Sequence, residues 1–145
     1  MTKTVHDHRD DSSVAAEPLR VGLAACLTAA AGAHLPVLAE HLHEAMWLGW
    51  LFVAFIAVSL TFGTLVITRH AGWVAPVAAL LLASALGFYV ATRSVAFPQI
   101  ADDVGDWFDP WGVASVVAET VGLLVAIALW ARQRSLAIDS RAIES

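Results

Sequence analysis

Residues 45–68 read AMWLGWLFVAFIAVSLTFGTLVIT, twenty-four consecutive residues without a charge. As an α-helix such a run is about 36 Å long, enough to cross a hydrocarbon layer of about 30 Å. Lipid offers backbone N–H and C=O groups no partners, so a spanning segment of this kind must be helical.

Three more apolar runs flank it. One extends from about Leu19 to Leu35 and stops at Pro36, one from about Gly72 to Phe97, and one from about Trp111 to Ala131. The expected fold is therefore all-α: a four-helix transmembrane bundle over residues 18–131. A polar, aperiodic tail (1–17, expected to be disordered) precedes it, and a second polar tail (132–145) follows. Composition agrees. Hydrophobic residues make up 59% of the 145 residues and charged ones 14%, against about 25% charged in an ordinary soluble domain. The connection Arg69-His70-Ala71-Gly72 is so short that the helices on either side of it must be antiparallel neighbours.

Basic residues set the expected orientation. Lys3, Arg9, Arg20, Arg69, Arg132, Arg134 and Arg141 fall on one side of the four spans, and Arg93 alone in the other half. Both termini are thus expected in the cytoplasm of a cell lying beneath its plasma membrane. Trp47, Trp73, Trp107, Trp111 and Trp130 stand near span ends, where interfacial anchors belong. The sequence Ala31-Gly32-Ala33 has the small-residue pattern of a signal-peptide site. Cleavage there would expose His34 as a copper-chelating terminus. The region before Arg20 is too long, polar and acidic for a leader, so the first span is expected to stay.

The outer connections hold the unusual residues. Gly32–Trp47, GAHLPVLAEHLHEAMW, carries His34, Glu40, His41, His43 and Glu44, and Pro98–Pro110 carries Asp102, Asp103, Asp106 and Asp109. Imidazole and carboxylate donors suit zinc, copper(II) or iron. Glu40-x-x-His43 is half of a di-iron helix-bundle motif, but it occurs only once, so a mononuclear site is the better expectation. Its ligands would be Glu40, His41 and His43, supplemented by Asp102, Asp103 and Asp106. The plain alternative is a wet loop in which Glu40 or Glu44 faces the start of the second helix and complements its dipole.

A second group lies deeper. Glu119 is eight residues past Trp111, near the middle of the fourth span, where an ionisable group should face the bundle interior. Arg93, four residues before Phe97, can reach inward to Glu119 or outward to headgroups, and His34 enters from the same side. His34, Arg93 and Glu119 are read as a buried polar site: a proton relay, a ligand pocket or support for a metal. Structurally, Glu119 would instead be ion-paired, or neutral and hydrogen-bonded to Thr28, Ser59 or Ser84.

The remaining features are plainer. Cys26 is a single cysteine in an apolar run, which excludes an intrachain disulfide and a CxxC motif. The net charge of −5 and the absence of a basic patch away from the span ends exclude a nucleic-acid binder. His6-Asp7-His8 is read as solvated tail. No phosphate-cradling loop, G-x-S-x-G elbow or H-E-x-x-H motif occurs, and His34 and His70 lie at opposite faces, which argues against haem.

HLPVLAEHLHEAMWLGWLF (34–52), RSVAFP (93–98) and an acidic residue in the fourth span together resemble a group of small, uncharacterised four-span membrane proteins of actinobacteria. The resemblance covers most of residues 20–131. It departs at Ala39, where a proline is expected, and has Ala96 as the small residue of RSVAFP. It implies no activity, but it directs attention to His34, Glu40, His41, Arg93 and Glu119 together. The leading expectation is a non-catalytic membrane protein binding copper or zinc at its outer face. The alternatives are a non-catalytic accessory or scaffold subunit of a larger membrane complex or homo-oligomer, and a proton-coupled carrier or enzyme centred on Glu119.

Overall fold

A computed structural model describes residues 16–69 and 71–144. The stretch 1–15, with His6 and His8, and His70 lie outside the described residues. Four helices carry the chain: α1 (Glu17–Glu44), α2 (Met46–Thr68), α3 (Val74–Ser94) and α4 (Pro110–Glu144), with a 3-10 turn at Ala101–Asp103 between α3 and α4. All four are long and apolar enough to cross a membrane. Large apolar side chains such as Trp50, Leu60, Leu80, Val117 and Leu124 are exposed around their waist, as expected for a multi-pass protein whose solvent there is lipid.

Span boundaries differ from the sequence expectation, α1 and α4 being longer and α3 shorter. α1 does not stop at Pro36 but runs through it to Glu44. Proline removes one backbone donor and crowds the carbonyl four residues earlier; that carbonyl belongs to Gly32, and nothing lies within 4 Å of where its Cβ would be. Spanning helices tolerate such a proline because local adjustment and neighbouring groups take up the freed carbonyl. α3 ends at Ser94 rather than Phe97. α4 continues past Ala131 to Glu144, about 52 Å in all, some 20 Å more than a hydrocarbon layer needs.

Ala45 alone joins α1 to α2. Its backbone turns out of helical geometry (φ −134°, ψ 74°), its N–H still reaches the His41 carbonyl, and its own carbonyl receives Leu48 and Gly49. So sharp a reversal brings α2 onto α1 at once: a Cβ on Gly49 would lie 2.7 Å from Leu42 Cγ. Asp109 and Pro110 start α4 in the usual way, with the aspartate Oδ2 accepting from the Gly112 N–H at 2.6 Å.

Close glycine contacts fix the order of the helices. Gly63 meets Ala24 and Leu27, Gly122 meets Cys26 and Leu82, and Gly112 meets Tyr89. α1 is therefore antiparallel to both α2 and α4, and α4 antiparallel to α3. The bundle is up-down-up-down, with α2 and α3 the least tightly packed of its neighbouring pairs. Its arginine-rich end is tightly filled by Leu23, Leu27, Val66, Ala78, Leu82 and Leu129. Here Arg20, 5% exposed, donates to the Arg69 carbonyl and closes the last turn of α2. At the acidic end a smaller cluster of Ala45, Leu48 and Ile100 seats the 95–109 connection against the α1–α2 turn.

Candidate functional site

Between those two apolar clusters the helices leave a cavity of about 330 Å³. Each helix supplies a residue at the same depth. His34 of α1, Phe55 of α2, Ser84 of α3 and Glu119 of α4 all line it, and each lies about 13–15 Å along its helix from the acidic end. Farther in, the packed core closes the space. Leu51 and Ser84 both line the cavity and are exposed, so it reaches the surface along the loosely closed seam between α2 and α3.

His34, Arg93 and Glu119 thus share one cavity, though they do not join one another. Glu119 is 2% exposed, and its Oε1 accepts the Ser115 hydroxyl at 2.6 Å. Ser115 stands one turn earlier on the same helix. That i, i+4 neighbour displaces the partners expected from the sequence. Thr28 donates to the Ala24 carbonyl, Ser84 donates to the Leu80 carbonyl, and the buried Ser59 hydroxyl has no partner among the described residues. Among the described residues no cation pairs with Glu119.

Arg93 turns the other way. Its Nη1 lies 2.9 Å from Asp103 Oδ2 and also donates to the Asp103 carbonyl. The guanidinium stacks over Tyr89 at 5.1 Å from the ring centre, and Tyr89 in turn donates its hydroxyl proton to the Trp107 carbonyl at 2.9 Å. Together with the Gly105 N–H bonded to the Arg93 carbonyl, these contacts tie the 95–109 connection to the end of α3.

The histidine-rich stretch is the end of α1 rather than a loop, and helical geometry divides it. His34 and His41, seven residues apart, point inward and are half-buried. Each Nδ1 is 2.8 Å from the carbonyl four residues earlier, Ala30 and Val37. A carbonyl can only accept, so Nδ1 carries the hydrogen and Nε2 of the neutral ring keeps a lone pair. Both rings pack on Phe52, His34 edge-on at 4.7 Å and His41 at 5.1 Å. Glu40, His43 and Glu44 are exposed, with His43 on the side of the helix opposite His41. Glu40 and Glu44 belong to the end of α1, and the first turn of α2 itself holds no acidic residue.

The expected ligand set is therefore dispersed: His41 lines the cavity, Glu40 and His43 face away from it, Asp102 and Asp106 are exposed, and Asp103 is engaged by Arg93. Among the described residues no three His, Cys, Asp or Glu side chains gather where one metal ion could be held. The sequence reading overlooked Phe52, Phe55 and Phe88, which put three aromatic rings on the cavity wall. It also missed Ser115, although the Ser115-x-x-x-Glu119 spacing signals the bond.

No family of proteins, no curated protein and no solved structure matches the chain.

Proposed function

We propose that this chain is a non-catalytic, multi-pass protein of the plasma membrane that binds a small molecule in the four-helix cavity. The observation that carries this is Glu119: a carboxyl group 2% exposed, without a cationic partner among the described residues, beside a space of about 330 Å³ with aromatic rings on its wall. Pockets that bind small ligands are largely apolar with a few convergent polar groups, and an ionisable group inside a membrane bundle marks function by default. In this reading both termini face the cytoplasm, with Arg20, Arg69, Arg132 and Arg134 on that side. The cavity then belongs to the outer half of the bilayer and fills through the α2–α3 seam.

Affinity selection tests it. Protein in lipid nanodiscs is incubated with a library of small amphiphiles, and retained compounds are identified by mass spectrometry. Ala85→Trp fills the cavity, and Leu51→Trp blocks its exposed rim more gently. Compounds retained by the wild type and released by both variants are the expected result. Equal retention by all three proteins would show partitioning into lipid and end the reading.

Binding of copper or zinc at the same end is a second reading with one observation in its favour. Glu40 and His43 are both exposed and three residues apart, so their donors share a helix face. Two protein donors leave the remaining positions of a transition-metal site to water or a partner. Elemental analysis of tag-free protein and of the Glu40→Ala/His43→Ala variant decides it: about one metal per chain, lost in the variant, against none in either.

A further inference from the structure

The hydrogen-bonding character of the cavity narrows what it can hold. Each hydroxyl and imidazole N–H on its wall is already committed to the protein. Ser84 donates to the Leu80 carbonyl, Thr92 to the Tyr89 carbonyl, Tyr89 to the Trp107 carbonyl and Ser115 to Glu119. His34 and His41 spend Nδ1–H on Ala30 and Val37. A hydroxyl whose proton is spent still accepts, and so do a carboxylate and a neutral imidazole Nε2. With Glu119 ionised, the inner layer made by His34, Ser84, Ser115 and Glu119 thus offers lone pairs and no hydrogens. Donors on the described cavity wall belong to Arg93, whose charge is matched by Asp103, and to the Trp111 indole. Both stand at the first or last turn of their helices, well short of that layer.

Charge points the same way. With Arg93 and Asp103 cancelling, and Asp109 bonded to the Gly112 N–H at the start of α4, Glu119 is the acid in the inner layer left without a positive partner. The walls between are Phe52, Phe55 and Phe88, whose ring faces attract a cation.

We infer that the cavity takes a protonated amine on a small apolar body. Its ammonium N–H groups are received by Glu119, His34 Nε2 and the oxygens of Ser84 and Ser115, and its body lies among the phenylalanines. Such a molecule brings the hydrogens the inner layer lacks and the charge Glu119 lacks. Its apolar part suits entry along the lipid-facing seam. The assignment rests on the ligand-binding reading above and adds the class of ligand.

Three probes of one shape test it in nanodiscs by isothermal titration calorimetry: 2-phenylethylamine as its ammonium salt, neutral 2-phenylethanol and anionic 3-phenylpropionate. The Ala85→Trp protein measures partitioning into lipid. Saturable binding of the ammonium, at least about tenfold tighter than that of the alcohol, is the expected result, a charge-assisted hydrogen bond being about twice as strong as a neutral one. Glu119→Gln should remove that preference while leaving the alcohol bound, which also shows that the variant folds. Alcohol or carboxylate binding as tightly as the ammonium, and blocked by Ala85→Trp, overturns the amine assignment and leaves the cavity a binding site. Heat no greater than that of Ala85→Trp for all three probes overturns both.

Discussion

The Arg93 guanidinium lies 2.9 Å from the Asp103 carboxylate, and this pair, rather than one between Arg93 and Glu119, closes the acidic end of the bundle. It holds the 3-10 turn against α3 while leaving Glu119 to the cavity. Asp103→Asn should loosen the connection without unfolding the helices. A partly exposed ion pair of this kind contributes about 1 kcal/mol, more where it is also hydrogen-bonded. Amides of residues 100–107 are expected to exchange about five- to tenfold faster in hydrogen–deuterium exchange, with α1 and α4 unchanged. Protection equal to the wild type would mean that Ile100 packing and the Tyr89–Trp107 bond suffice.

Glycines separate the two kinds of helix contact. Gly49→Ala places a methyl 2.7 Å from Leu42 Cγ and 2.8 Å from its backbone nitrogen, in a turn where neither helix can retreat. The expected cost is about 1–3 kcal/mol, typical of overpacking. Gly32→Ala meets nothing within 4 Å and should be neutral or stabilising by up to about 1 kcal/mol from helix propensity. Thermal unfolding in detergent compares them directly; equal midpoints for the two variants would contradict the tight α1–α2 reversal.

Much of the bundle was legible because lipid permits few choices. Runs such as 45–68 can satisfy their backbone only as helices, which gives four helices of the right order. Their ends were less legible, because Pro36 reads as a stop in water yet is tolerated in a spanning helix. That shift moved His41 and His43 from a loop onto a helix, where they face opposite ways. The cavity was beyond reach for another reason: His34, Phe55, Ser84 and Glu119 share no local pattern, and only the packing of all four helices makes them one layer. Asp103 looked like a ligand because acidic clusters do. Its partner Arg93, ten residues earlier, had been matched with the deeper acid.

Arg20 is the one buried cation at the opposite end among the described residues, and its position explains more than charge bias. It caps α2 by donating to the Arg69 carbonyl, a group that α2 itself cannot satisfy. Arg20→Met keeps most of the apolar stem and removes the donor, so a loss of about 1–3 kcal/mol is expected from the unsatisfied carbonyl. Arg20→Lys should recover part of it. If Arg20 served orientation alone, Arg20→Met would instead leave the unfolding midpoint unchanged and alter only the topology reported by cysteine labelling of the two ends.

Glu119 offers the sharpest contrast between a structural and a binding role. A carboxyl buried among apolar side chains is costly to keep, and its bond among the described residues, from Ser115, comes from its own helix and so ties no two helices together. Replacing both partners by apolar residues removes the desolvation cost without stranding either group. Ser115→Ala/Glu119→Leu should therefore unfold at the same temperature as the wild type or higher, by up to about 2 kcal/mol of added stability. The same double variant should lose saturable binding of 2-phenylethylamine. Ser115→Ala alone, which leaves Glu119 without its donor, should be the less stable of the two. A double variant markedly less stable than the wild type would make Glu119 part of the scaffold. Gained stability with lost binding is the signature of a residue kept at the expense of the fold, because the cavity needs it.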